Sequence, residues 1–428
     1  MFDRFRKDPL LWRFSLYGFL KNQQYYEPFF FLVLQGKGLS FFLIGLLFSF
    51  REICVNVMGI PAGFLADLYG RRRALVLCFG AYILAFLGFA LTRGLPCLFL
   101  SMFAFAVGES FRSGTHKAMI FHHLRLTGRE AEKAIVYGIT RSWSKTGSAV
   151  SSLLSGLLVF FTGNFGQIFL WAIPPYLLDM VNVGTYPRRL EGEFTGLRPA
   201  FSLRTSLGTM ARETFRCLRN PELRGLFIQS AAIQTAAKTV KDYLQPLVVV
   251  SFAGLAIAGR LTTSLDATRR SACLLGVLYF GLNVLAALAS RNANRFMRLE
   301  RCRIPYLWIA VALVGGLISL GSALRGKMAG AIGVAILGFV LLTLLENVWR
   351  PLFMDRLDDV SDSSYGSAVL SVEAQFQSLG IMVCAPLVGK VADRWGLPGV
   401  GLFVIALATV VGSHAVLGSR RSKMPEAP

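Results

Sequence analysis

The chain alternates long apolar runs with short charged stretches, and the runs have a recurrent length. Twelve can be drawn, at about residues 11–34, 40–62, 74–91, 97–121, 134–161, 167–186, 225–250, 271–289, 305–324, 329–352, 365–388 and 399–417. A helix needs about 20 apolar residues to cross a bilayer core of about 30 Å. Helices also satisfy their own backbone polar groups in a solvent that offers no partners. The pattern predicts an all-α polytopic membrane protein with twelve transmembrane helices. It breaks once, at residues 188–224, where arginine is frequent and residues 202–218 read as an amphipathic helix lying on a membrane surface. The expected parts are a six-helix bundle over 1–187, a basic cytoplasmic linker over 188–224, and a second six-helix bundle with a short tail over 225–428.

Four of the runs are more polar than hydrocarbon tolerates. The first carries Asn22, Tyr26 and Glu27 ahead of Pro28, which permits a kink. The fourth carries Glu109, Arg112 and His116, at i, i+3 and i+7 on one helical face. The seventh has Lys238 and Asp242, and the tenth has Glu346 and Arg350. Ionisable groups within a span are costly unless they face a cavity or one another, which makes them candidates for a transport path. The remaining runs suggest packing. Run 3 is almost wholly apolar and is expected to face lipid. Run 5 has a stripe of small residues, from Gly147 to Gly156, that suits close helix contact. Arg51 and Glu52 are consecutive, so they diverge on a helix and each is expected to find a partner elsewhere. Arg141 and Glu373 are expected at similar depth, as a latch between the halves.

The two halves echo each other. Gln24-Tyr25-Tyr26-Glu27-Pro28 in run 1 is answered by Asp242-Tyr243-Leu244-Gln245-Pro246 in run 7, and Gly45 in run 2 by Gly276 in run 8. Composition agrees with the pattern: 54% of residues are hydrophobic, 16% are charged and the mean hydropathy is +0.54. The net charge of +21 would suit a nucleic-acid partner, but the basic residues cluster between apolar runs. There the positive-inside rule explains them, and no nucleic acid is expected. The seven cysteines are scattered without a C-x-x-C pair, so neither a disulfide nor a metal site is expected. No cleavable signal follows the N-terminus, and both termini are expected inside.

Between runs 2 and 3 lies Gly63-Phe64-Leu65-Ala66-Asp67-Leu68-Tyr69-Gly70-Arg71-Arg72-Arg73. This frame resembles the loop between helices 2 and 3 of the major facilitator superfamily of secondary transporters. The resemblance implies two parallel six-helix bundles working by alternating access, with helices 1, 4, 7 and 10 lining a central cavity. Those are the four runs with the longest polar stretches. It also implies a gating role for Asp67, framed by Gly63, Gly70 and Arg71, through contacts with the start of helix 11 and with neighbouring basic groups. A second frame, Gly389 to Gly396, follows run 11 and so falls on the outer side; it reads as packing chemistry.

The function expected is secondary transport of a small, organic, anionic or zwitterionic solute. Basic groups in the expected cavity outnumber the acids that neutralise them. Proton coupling is expected from the embedded acids and His116. Membrane lipid is the other partner, with the protein a monomer in a bacterial inner membrane. No cofactor is expected. No soluble enzyme motif appears, and a membrane-embedded enzyme would need a convergent catalytic group at one face. A transporter-derived sensor or scaffold is the main alternative.

Overall fold

The structure, a computed structural model, describes residues 8–191, 215, 219–257, 264–300, 304–325, 328, 330–360 and 366–421. The amphipathic helix expected over 202–218 falls almost wholly outside them. The described residues form helices and no strand. In chain order these are α1 (Pro9–Lys21), α2 (Phe30–Gly36), α3 (Phe41–Tyr69), α4 (Arg71–Leu91), α5 (Leu95–Arg112), α6 (Thr115–Leu126), α7 (Lys133–Thr162) and α8 (Ile168–Gly184). They continue with α9 (Pro221–Val240), α10 (Leu244–Ile257), α11 (Ser264–Glu300), α12 (Ile304–Ala323), α13 (Ala331–Val360), α14 (Gly366–Trp395) and α15 (Leu397–Arg421).

Eight helical segments among the described residues are long and apolar enough to cross a membrane, and Leu307–Ala323 is a shorter one. The other spans have physical reasons to fall short. Span 1 is broken between α1 and α2, where Asn22 to Phe29 leave the helix. Span 7 is broken by a 3-10 turn at Lys241–Tyr243. Helix α8 is 17 residues long and contains Pro174 and Pro175. The two echoing sequences thus sit at two helix breaks. Span 4 is broken as well, at Ser113 and Gly114, with Gly114 at φ +77°. Discontinuous helices free backbone groups at mid-span, which membrane proteins tolerate where a cavity or other helices receive them.

The chain divides into two compact units that are not contiguous halves. The first comprises residues 1–33, 50–201 and 268–283; the second comprises 34–49, 202–267 and 284–428. The first turns of α3 therefore belong with the second unit, and the middle of α11 with the first. Glycines account for both exchanges. A Cβ on Gly45 would lie 2.3 Å from the Ala385 carbonyl oxygen, so α3 meets α14 backbone to backbone. A Cβ on Gly276 would lie 3.0 Å from Gly156 Cα, which joins α11 to the small-residue stripe of α7.

The first unit is cored by aromatic rings from α2, α4, α5 and α8, among them Phe30, Phe86, Phe105 and Phe169. Tyr26 stacks on Phe169 inside this core, with ring centroids 5.6 Å apart. Helix α4 is two-sided: half of its apolar window is buried, while Leu77, Leu84 and Leu91 form an exposed apolar face of the kind expected against lipid. Its buried face, from Ala74 to Phe89, packs on α5 and α8. A span that is apolar all round looks the same in sequence whether protein or lipid covers it.

In the second unit, α9, α13 and α14 surround Glu373, which is 1% exposed. Arg350 Nη1 reaches its two carboxylate oxygens at 2.5 and 2.7 Å. Ser230 and Gln234 donate to Oε1 at 2.7 and 3.1 Å, and Gln377 donates to the same oxygen. Arg350 holds this carboxylate, with three neutral donors around it; Arg141, the other member of the expected latch, belongs to the first unit.

Candidate functional site

The first unit holds a half-open cavity of about 470 Å³ lined from α1, α3, α5, α6 and α7. Its position follows from local chemistry. Helix α1 comes very close to α7 because a Cβ on Gly147 would lie 2.6 Å from the Phe19 carbonyl oxygen, and one on Gly18 would lie 2.6 Å from Ser144 Oγ. The α5–α6 break then leaves room on the other side. Polar groups of both helices can face this space without facing lipid.

Glu109, Arg112 and His116 all line the cavity, although the helix that would have put them on one face is interrupted between the second and third. Glu109 and Arg112 form an intrahelical ion pair. Tyr82 of α4 joins it: its hydroxyl donates to Glu109 Oε1 and accepts from Arg112 Nε at 3.1 Å. Both oxygens of Glu109 are thereby engaged, the second by Arg112 Nη2. Tyr82 can lie across α5 because residue 108 is glycine, where a Cβ would approach the Tyr82 ring to 2.9 Å. His116 is stacked on Tyr17, with centroids 3.6 Å apart, and its Nε2 lies 3.5 Å from the Tyr186 hydroxyl. Its ring forms part of the wall. Asn22 lines the cavity too, its amide donating to the Gly18 carbonyl at 2.5 Å.

Further residues complete the wall, of which Lys117 was expected among the cavity's basic groups. Lys21, Lys117, Arg141 and Lys145 add four cationic side chains. Lys117 Nζ is held 5.2 Å from the centre of the Tyr137 ring. Hydroxyls of Thr140, Ser144 and Ser148 complete the α7 side. Lys21 and Lys145 were legible as basic residues inside apolar runs; their common destination was not, because it depends on the close α1–α7 contact.

Other expected ligands lie elsewhere. Tyr26 belongs to the aromatic core, and Glu27 is half-buried in the turn between α1 and α2. Lys238, Asp242, Glu346 and Arg350 belong to the second unit. Lys238 is exposed, Asp242 and Glu346 are half-buried, and Arg350 is paired with Glu373. Arg51 and Glu52, expected to diverge along the helix, also bridge each other at 2.8 Å. Their long side chains fold back over the short distance between neighbouring residues.

Three comparisons decide what kind of protein carries this cavity. The family model described as Major Facilitator Superfamily matches residues 14–374. The chain belongs to the Major Facilitator Superfamily. It is similar to the enterobactin exporter EntS of Salmonella typhimurium (strain LT2), at 24% identity over 80% of this chain and 78% of that protein. Among solved structures it resembles a D323A mutant of the nucleoside transporter NupG, with TM-score 0.76, 13% identity and coverage of 96% of this chain and 99% of that one. It also resembles a bacterial homologue of the human lysosomal transporter Spinster in an inward-facing and occupied conformation, with TM-score 0.72, 13% identity and coverage of 98% and 99%. These similarities make the chain a multi-pass secondary transporter of the superfamily fold.

The superfamily frame at 63–73 is folded as a tight helix-to-helix turn. Gly70 adopts φ +101°, a conformation that glycine reaches without steric cost. Asp67 is exposed and pairs with Arg71, Oδ1 to Nη2 3.0 Å. Gly63 is not a contact glycine, since a Cβ there would meet nothing within 4 Å. The arginine that fastens the turn is Arg72. It reaches Glu191 at 2.9 Å and donates to the Gly184 and Tyr186 carbonyls at 3.3 and 3.4 Å. The start of helix 11 expected near Asp67, at about residue 365, falls at the edge of the described residues. The second frame is a helix cap: Asp393 accepts from the backbone N–H groups of Phe41 and Phe42, both at 2.9 Å, at the start of α3. Gly389 lets it come close, as a Cβ there would lie 2.3 Å from the Phe41 carbonyl oxygen.

Proposed function

We propose that this transporter carries a small organic anion by alternating access, and that the cavity of the first unit binds it. One observation supports the charge of the cargo above all. Lys21, Arg112, Lys117, Arg141 and Lys145 line the cavity, while its acid, Glu109, already has both oxygens engaged by Arg112 and Tyr82. An excess of like charge around a low-dielectric space attracts the opposite charge. The polar groups of the wall, together with the rings of Phe14, Tyr17 and Tyr137, suit an anion with an organic body. In this reading the protein is a monomer of a bacterial inner membrane with both termini cytoplasmic, it performs no enzymatic step, and Asp67 with Arg71 acts at the inner gate. Proton coupling belongs to the same reading.

The test is a thermal-shift screen of the purified full-length protein against organic anions, cations and neutral solutes, with enterobactin included because of the exporter relative. A ligand at a hundred times its dissociation constant adds about 2.7 kcal/mol to the folded state. The reading expects anions to raise the melting temperature, and the effect to disappear in an Arg141→Gln/Lys145→Gln protein. Stabilisation by cations alone, or by anions equally in the double variant, contradicts it.

A further inference from the structure

The cations of the cavity follow one face of α7. Tyr137, Arg141 and Lys145 succeed one another at i, i+4 and i+8, and all of them line the cavity. Lys117 of α6 joins the first level, its Nζ 5.2 Å from the centre of the Tyr137 ring. Lys21 of α1 joins the last. Helices α1 and α7 run in step there: a Cβ on Gly18 would lie 2.6 Å from Ser144 Oγ, and Asn22 Oδ1 lies 3.5 Å from Ser148 Oγ. Lys21, next to Asn22 in the chain, therefore stands within a helical turn of the level of Lys145.

The positive charge is thus arranged in levels: Lys117 beside Tyr137, then Arg141, then Lys145 with Lys21. At about 1.5 Å of rise per residue, neighbouring levels are about 6 Å apart along α7 and the outer two about 12 Å. Among the described residues, none of these four cations has a carboxylate partner. The acid of the wall, Glu109, is engaged by Arg112 and Tyr82. Like charges one turn apart on a helix repel each other. An anion with a single charged group answers one level and leaves the others unmatched.

We propose that the cargo is an extended organic dianion, with an oxyanionic group at each end held by the outer levels. Lys117 receives one end, and Lys145 with Lys21 the other. Arg141 lies between them, where its planar guanidinium can turn to either group. The hydroxyls of Thr140 and Ser144 and the rings of Tyr17 and Tyr137 face the body of the molecule. This proposal rests on the anionic reading of the cavity given above and adds the valence and the length of the anion.

The experiment is calorimetric titration of the purified full-length protein with suberate, malonate, the monoamide of suberate, and the diamine cadaverine. Malonate carries both charges too close together to reach two levels, and the monoamide has the length of suberate with one charge. Suberate is expected to bind about tenfold or more tightly than either, as for one added charge-assisted contact. Lys117→Gln, and separately Lys21→Gln/Lys145→Gln, are expected to remove this advantage. Lys21→Arg/Lys145→Arg keeps the charge and is expected to preserve it, which separates loss of charge from loss of fold. Suberate no tighter than malonate or than its monoamide overturns the proposal, and so does an advantage that survives both sets of glutamine substitutions. Failure of the anionic reading looks different: cadaverine then binds as well as suberate, and both readings fall.

Discussion

Two aspartates in related frames do different work. Asp393 closes the start of α3 by accepting two backbone N–H groups that have no partner inside their own helix. Asp67 is 65% exposed at its side chain and holds an arginine one turn along. Asp393→Ala is therefore expected to cost about 1 kcal/mol, as the loss of a helix cap does. Asp67→Ala is expected to stay within about 0.5 kcal/mol, as for an exposed i,i+4 pair. Thermal melting of the purified variants in detergent measures both, and equal losses would mean that the cap is not what Asp393 supplies. At this scale the sequence was partly legible. The frame at 389–396 could be seen as packing, but its partner, the start of α3, is more than 340 residues away in the chain and left no local signal.

At the scale of helices, the glycines separate contact from conformation. Gly45 and Gly156 lie where another backbone occupies the place of a Cβ, whereas Gly80 and Gly63 face open space. Gly45→Ala and Gly156→Ala are expected to lose about 1–3 kcal/mol through forced separation of helices. Gly80→Ala and Gly63→Ala are expected to be neutral or slightly stabilising, because alanine restricts the unfolded chain. Gly70→Ala is expected to lose about 1–2 kcal/mol for a reason of its own, its left-handed backbone. Melting temperatures check the order, and a destabilising Gly63→Ala would contradict it. The breaks in spans 1 and 7 were legible, because polar runs and prolines mark them. The break in span 4 was not: its polar residues keep helical spacing, so the sequence reads as one continuous helix. The buried face of α4 was not legible beside its exposed one, with Leu77, Leu84 and Leu91, because hydropathy measures what a side chain avoids, not what covers it.

At the scale of the molecule, the order of twelve spans and the superfamily were legible from run length and from one polar turn. The membership of the two compact units was not. It depends on backbone contacts of Gly45 and Gly276, which place the start of α3 with the second unit and the middle of α11 with the first. Nor did the sequence show that the cationic residues of spans 1, 4 and 5 share one cavity while those of spans 7 and 10 lie in the other unit. The central claim is that this cavity attracts anions. It can be tested without knowing the cargo, by placing a single thiol in the wall with Ser148→Cys in a protein otherwise free of cysteine. The rates of modification by a negatively and a positively charged methanethiosulfonate reagent are then compared, each divided by its rate with a free thiol. The account predicts that the anionic reagent is favoured about tenfold or more at low ionic strength, and that salt narrows the ratio. Equal rates, or a preference for the cationic reagent, would contradict it.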